Sequence, residues 1–223
     1  MTHRLMTTAP GAVSAARRWW LPIAVVGLGI VAPLLLTGRY PSTIAMQIWI
    51  AAAYAYSYRL LFGGTGMLSF GHAVQFGIGA FSTAHALNTP GLAAVGFPAE
   101  AVPLVGVAAG LGAAVVFGYP ATRRSGTPFA MVTLGIGELV AACFLMFPGF
   151  FGGESGISTD RSALPGLVVG SYGSISTLYP LVVAWAITLI AAALWIGRTP
   201  LGLLARAVRD NADRVGFLGF EPA

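Results

Sequence analysis

The chain has 223 residues, 57% of them hydrophobic and 9% charged, with a mean hydropathy of +0.80, and these shares exclude an ordinary soluble domain. Several uncharged runs approach the ~18 to 20 residues that cross ~30 Å of hydrocarbon as helix, and none shows the ~10-residue alternation of a barrel strand. All twelve positive charges are Arg, which rules out a G-x-x-x-x-G-K-S/T phosphate loop for want of Lys, and the net charge of +5 is scattered over helix ends, not gathered into a nucleic-acid groove.

The expected class is therefore all-α, a polytopic transmembrane helical bundle of about six spans in a lipid bilayer. Residues 1–18 are polar, with Arg4, Arg17 and Arg18, and read as a cytoplasmic tail. Residues 19–36 carry no charge and form the first span, with Trp19 and Trp20 at the headgroup level. A secretory signal peptide competes for this stretch, but no small-residue cleavage site follows and further apolar spans do. A turn with Arg39 and Pro41 leads into a second span, about 43–58, closed by Tyr54, Tyr56, Tyr58 and Arg59 as an interfacial belt.

Gly63, Gly64 and Gly66 break the apolar run, and a third span, 66–87, begins at once. Along it Ser69, Ala73, Gly77, Ala80 and Ala84 recur every three or four residues, which predicts a helix face bare enough to press on a neighbouring backbone. A loop at Asn88, Pro90 and Gly91 passes Pro98 and Glu100 into a fourth span, about 101–119, where Gly106, Gly110, Ala114 and Gly118 fall at four-residue intervals. Close packing is thus expected at Gly66, Gly71, Gly77, Gly106 and Gly110. Arg123, Arg124, Ser125 and Gly126 precede a fifth span, about 128–147, which holds Glu138. Residues 148–178, rich in Gly, Ser and Pro and carrying Glu154, Asp160 and Arg161, read as a long external loop. The sixth span, 178–196, returns to a basic cytoplasmic segment, 198–223, so that the transmembrane domain occupies 19–197.

Orientation follows from the arginines, which stay cytoplasmic in short loops. With both termini cytoplasmic, ten arginines lie inside and only Arg39 and Arg161 outside. His72 falls six residues into the third span. Such a lone His completes a hydrogen bond between helices, or lines a substrate path with Ser69 one turn away and Gln75 nearby. Glu138 is the one acid well inside a predicted span, where an ionised carboxylate costs several kcal/mol unless it faces protein or water. Gly135 and Gly137 beside it suit a cavity wall, and helix–helix bonding is the alternative.

Near the end, Leu201, Leu204, Ala205, Val208, Ala212 and Val215 share one face of a helix, opposite Arg206, Arg209, Asp210, Asp213 and Arg214. The pairs Arg206/Asp210, Arg209/Asp213 and Asp210/Arg214 are four apart, each contributing ~0.2 to 0.5 kcal/mol. An apolar face with a charged rim suits docking into a partner's groove, the alternative being a helix lying on lipid. The three His are not at metal-ligand spacing, no nucleophile, base and acid come together, and the single Cys143 excludes an internal disulfide. No catalytic residue, metal or cofactor is expected. His3 reads as a solvated terminal residue and His85 as an interfacial one.

Three stretches in order resemble the permease subunits of ABC importers for branched-chain amino acids, the LivH and LivM type. The first is Gly63-Gly64-Thr65-Gly66-Met67-Leu68-Ser69-Phe70-Gly71-His72-Ala73. The second runs from Arg124-Ser125-Gly126 through Phe129-Ala130-Met131-Val132-Thr133-Leu134 and Gly137-Glu138 to Gly152-Gly153 and Gly156. The third holds Thr199-Pro200-Leu201-Gly202, Arg206-Ala207-Val208-Arg209-Asp210-Asn211 and Leu218-Gly219, similar to that family's cytoplasmic coupling loop.

The resemblance covers most of the chain from about residue 42 and implies a bacterial inner-membrane permease for branched-chain or other apolar amino acids. It implies cytoplasmic ATPase subunits that dock at Leu201, Gly202, Leu204, Arg206, Val208, Arg209 and Asp210, so that ATP is hydrolysed in a separate subunit. A second homologous permease completing the pathway and an external substrate-binding protein meeting the loop near 154–161 are implied with them. Members of that family usually continue with further helices, whereas this chain stops at Ala223, so a shortened copy or helices supplied elsewhere is expected. Three other readings stay open: a permease for urea or short amides, a channel or secondary transporter that runs without ATP, and a truncated remnant that transports nothing.

Overall fold

A computed structural model describes residue 27 and residues 38–123, 126–162, 164–217 and 219. The expected tail and first span, but for residue 27, lie outside the described residues, as do Arg124, Ser125 and Leu218. The described part is helical. Helix α1 spans Arg39–Thr65, α2 His72–Asn88, and a short α3 Pro90–Ala94. A 3-10 turn at Ala99–Ala101 opens α4, Val102–Thr122, and α5 follows at Thr127–Met146. The short α6, Pro148–Phe151, and a 3-10 turn at Gly153–Ser155 precede α7, Ile175–Ile196. Helices α8, Pro200–Asp210, and α9, Ala212–Phe217, complete the order.

Proline within the first turn of α4, α5, α6 and α8 marks their starts, since its missing N–H is one that a helix leaves unpaired there anyway. Helix α7 starts instead on Ser174, whose Oγ accepts from Thr177 N at 3.3 Å.

Among the described residues three helical stretches are long and apolar enough to cross a membrane, not about six: Ala99–Thr122, Thr127–Met146 and Ile175–Ile196, with mean hydropathies of 2.1, 2.0 and 2.0. Helix α1 is long enough at 27 residues, but Gln47, its tyrosines and Arg59 dilute its hydropathy. Helix α2 has 17 residues, or ~25 Å at ~1.5 Å per residue.

The third predicted span is corrected at its start. Helix α1 runs on through Gly63 and Gly64, and Gly66, at φ +73°, ends it in the left-handed conformation that glycine adopts without penalty. Residues 66–71 are not helical, so Ser69 precedes α2 and His72 is the first residue of that helix, not a position well inside it.

Among the described residues two apolar cores form. Met46 and Trp49 of α1 pack on Tyr179, Val183 and Ala186 of α7, at helical spacing on both sides. Ala86, Ala99, Val102, Leu164 and Tyr172 make the second, at the opposite end of the bundle from Gly66. The α1–α7 pair meets the α2–α4–α5 group at both ends: through His72 and Ser57 at one, and through Trp185 Nε1, which donates to Glu100 O at 3.2 Å, at the other.

Residues 148–174 are a built cap, not a plain loop. Asn88 Nδ2 donates to Ser158 O at 2.8 Å, Ala99 N donates to Pro165 O at 3.0 Å, and His85 Nε2 lies 2.6 Å from Phe150 O. Each tie satisfies a polar group at a helix end with backbone of the 148–174 segment.

Candidate functional site

His72 Nε2 lies 2.8 Å from Ser57 Oγ, and that hydroxyl spends its one proton on Tyr54 O at 2.7 Å. The imidazole is therefore the donor to Ser57. The rings of Tyr54 and Tyr58 close around it, with centroids at 5.1 and 5.6 Å. This geometry ties α2 to α1. Gln75 turns to its own helix, its amide nitrogen donating to Gly71 O at 2.6 Å and His72 O at 3.1 Å in the orientation that satisfies both. Ser69 is buried in the 66–71 segment. These three residues thus point to three different partners or surroundings and do not form one cluster.

Glu138 stands apart from all of them. It is exposed near the middle of α5, and among the described residues it makes no hydrogen bond or ion pair. The buried side of α5 carries Phe129, Thr133 and Val140. At ~100° per residue Glu138 falls on the other side, with Met131, Leu134, Gly135, Ala142 and Leu145, all exposed. The carboxylate thus sits in an apolar face, with small neighbours at Gly135 and Ala142.

The predicted small-residue faces are partly realised. A Cβ on Gly79 would stand 3.0 Å from Gly106 O, and one on Gly110 would stand 3.4 Å from Gln75 O, so α4 meets α2 backbone to backbone there. Among the described residues a Cβ on Gly118 would meet nothing within 4 Å. Gly77 faces Phe144 of α5 instead, and Gly79, outside the predicted stripe, takes the place opposite Gly106.

Helix α8 departs from the expected continuous 201–215 helix. Asn211 is extended, with φ −165° and ψ 101°, and separates α8 from α9. The Arg206/Asp210 pair does not form, because Arg206 Nε donates to Gly202 O at 3.0 Å and its Nη2 to Gly197 O. The pairs Arg209/Asp213 and Asp210/Arg214 would cross the break, and the side chains of Asp213 and Arg214 lie outside the described residues.

Leu204, Ala205 and Val208 are half-buried, and α8 packs on α1. The apolar side expected to meet a partner is thus partly covered by its own chain. Leu201 and Leu203 stay 73% and 58% exposed, beside exposed Arg206 and Asp210. Gly202 sits where a Cβ would stand 2.6 Å from Ile196 O. Arg209 Nη1 donates to Gly63 O at 2.8 Å, while its Nη2 lies 3.5 Å from Asp210 Oδ1.

Two polar residues were not singled out from the sequence. Thr133 is 5% exposed, and its Oγ1 accepts from Phe70 N at 3.1 Å while donating to Ala130 O at 3.0 Å. Glu100 Oε1 accepts from Val168 N at 3.0 Å and Tyr172 Oη at 2.7 Å, while its Oε2 is buried without a partner among the described residues. The bond to Glu100, with burial adding to it, pushes the Tyr172 phenol up to about 12. A carboxylate opening an apolar span was the signal available for Glu100. For Thr133 the signals were a hydroxyl among apolar neighbours and its place in the second stretch that resembles the permease family.

No group of three His, Cys, Asp or Glu able to hold a metal occurs among the described residues. Residues 40–223 match the family described as the branched-chain amino acid transport system, permease component. No curated protein and no solved structure matches the chain. That family match implies an ABC transporter assembly of ATPase, second permease and substrate-binding protein. With the match covering most of the chain and long apolar helices beneath it, the chain belongs to the branched-chain amino acid transport permease family, as a multi-pass inner-membrane transport component and not an enzyme.

Proposed function

We propose that this permease component forms its translocation pathway with a second homologous permease, and that Glu138 lines that pathway as the contact for the substrate ammonium group. The observation that carries the reading is the uncovered carboxylate near the middle of a 20-residue apolar helix. Left ionised against hydrocarbon it would cost ~2.5 to 3.5 kcal/mol, so its face belongs against protein or water. An apolar amino acid asks for just such a wall: one anion for the ammonium, and aliphatic surface around it for the side chain.

In the full assembly α1, α2 and residues 19–36 join the three long apolar helices as spans, which makes about six, with both chain ends cytoplasmic. The transmembrane domain then covers 19–197, the cap within 148–178 faces outward, and 198–223 faces the motor. Leu201, Gly202, Leu204, Arg206, Val208, Arg209 and Asp210 make up the coupling segment, with the exposed Leu201 and Leu203 as apolar contacts for an ATPase. The ties that hold residues 158 and 165 to helix ends give the external binding protein a fixed surface near 154–161. His72, Gln75 and Ser69 serve packing around this pathway, as do Gly66, Gly71, Gly77, Gly106 and Gly110.

Glu138→Gln in the reconstituted complex tests the central claim. The amide keeps the shape and loses the charge, so uptake efficiency falls about ten- to a hundredfold, the loss of one charge-assisted hydrogen bond. Unchanged rate and apparent affinity would remove Glu138 from the pathway.

A further inference from the structure

We infer that residues 66–71 form a strap that passes movement of α8 to the Glu138-bearing helix, with Thr133 as the positioning residue on the receiving side. The inference rests on the coupling role of α8 and the pathway role of Glu138 argued above. At one end of the strap, Arg209 of α8 holds Gly63 O, and its Cγ lies so close that a Cβ on Gly66 would stand 2.7 Å from it. A shift of α8 therefore acts directly on the point where α1 leaves its helix.

At the other end the strap lies on α5. Phe70 N donates to Thr133 Oγ1, and a Cβ on Gly71 would stand 3.0 Å from Thr133 O. Phe70 O in turn lies 3.9 Å from the position a Cβ on Gly137 would take, one residue before Glu138. The hydroxyl proton of Thr133 is committed to Ala130 O, so its oxygen is held in place to accept from Phe70. Ser69, midway, is buried. Six residues gripped at both ends, with Ser69 buried between them while Leu68 and Phe70 stay exposed, have little slack in which to absorb a displacement.

Adjacency alone is not coupling, so the measurement must be a coupling ratio. Thr133→Val keeps the side-chain shape and removes the acceptor, and Thr133→Ser keeps the acceptor. The complex with its ATPase subunits is reconstituted, and substrate uptake and ATP hydrolysis are measured in the same vesicles. For Thr133→Val we expect uptake per ATP to fall about two- to thirtyfold, with co-purified ATPase and substrate-free hydrolysis unchanged, and Thr133→Ser to retain the wild-type ratio.

An unchanged ratio in Thr133→Val, a parallel fall of uptake and hydrolysis, or a Thr133→Ser variant as defective as Thr133→Val overturns the strap while leaving the permease assignment intact. If Thr133→Val is not recovered folded, Gly71→Ala, whose methyl presses on the same Thr133 carbonyl, is scored by the same ratio. A fall supports the strap and an unchanged ratio overturns it. A wild-type complex without any ATPase would instead overturn the coupling role of α8, and the strap with it.

Discussion

Gly106 meets Gly79 across the α2–α4 interface so closely that a methyl on Gly106 would stand 2.8 Å from Gly79 O, and nearer still to Thr83 Oγ1. Neither neighbour can yield cheaply, since one is backbone and the other hydrogen-bonds Gly79 O itself at 2.8 Å. Gly106→Ala is therefore expected to destabilise by about 1 to 3 kcal/mol, the usual cost of overpacking. Gly118→Ala, with nothing within 4 Å among the described residues, should be neutral or stabilising by up to ~1 kcal/mol from helix propensity. Thermal unfolding of the two variants in detergent checks this, and a Gly106→Ala protein as stable as wild type would remove the close contact.

The bond between Tyr172 and Glu100 makes the cap pH-dependent. The phenol's ordinary value is 10.0 and the folded value about 12, so the folded state holds this proton more tightly than the unfolded chain. The stabilisation is complete below pH 10 and is lost as pH rises toward 12. Tyr172→Phe removes the donor at a cost of about 1.5 to 3 kcal/mol. Melting of wild type and variant between pH 8 and 11 should show a gap that is constant at the low end and begins to close above pH 10. A gap that widens there contradicts the assignment.

The long apolar helices were legible because uninterrupted hydropathy and flanking Pro, Gly and Arg bound them locally: the readings 128–147 and 178–196 differ from Thr127–Met146 and Ile175–Ile196 by a few residues. The strap was not legible. Ser69 and His72 fit a helical period, but Gly66 turns left-handed and Phe70 N finds Thr133, 63 residues away, so a tertiary hydrogen bond overrides the local pattern. Arg206 misled for a similar reason. Its spacing to Asp210 suits an ion pair, yet it donates instead to the carbonyl of Gly197 at the α7–α8 turn. The Glu138 position in its span was read from sequence, whereas its exposed face depends on where α2 and α4 pack on α5.

His72 offers the last test, because its two expected roles separate cleanly. As a tie between α1 and α2 it gives one hydrogen bond to Ser57 at 2.8 Å, of a kind that averages about 0.6 kcal/mol within membranes. His72→Phe keeps the ring contact with Tyr54 and Tyr58, and Ser57→Ala removes the other partner of the same bond. In a double-mutant cycle the two losses should be similar, and the double variant should be little worse than either single one. Uptake by the complex should fall no further in His72→Phe than in Ser57→Ala. If His72→Phe abolishes uptake while Ser57→Ala transports normally, the imidazole acts on substrate or proton through its other nitrogen, and the packing role argued from its geometry is insufficient.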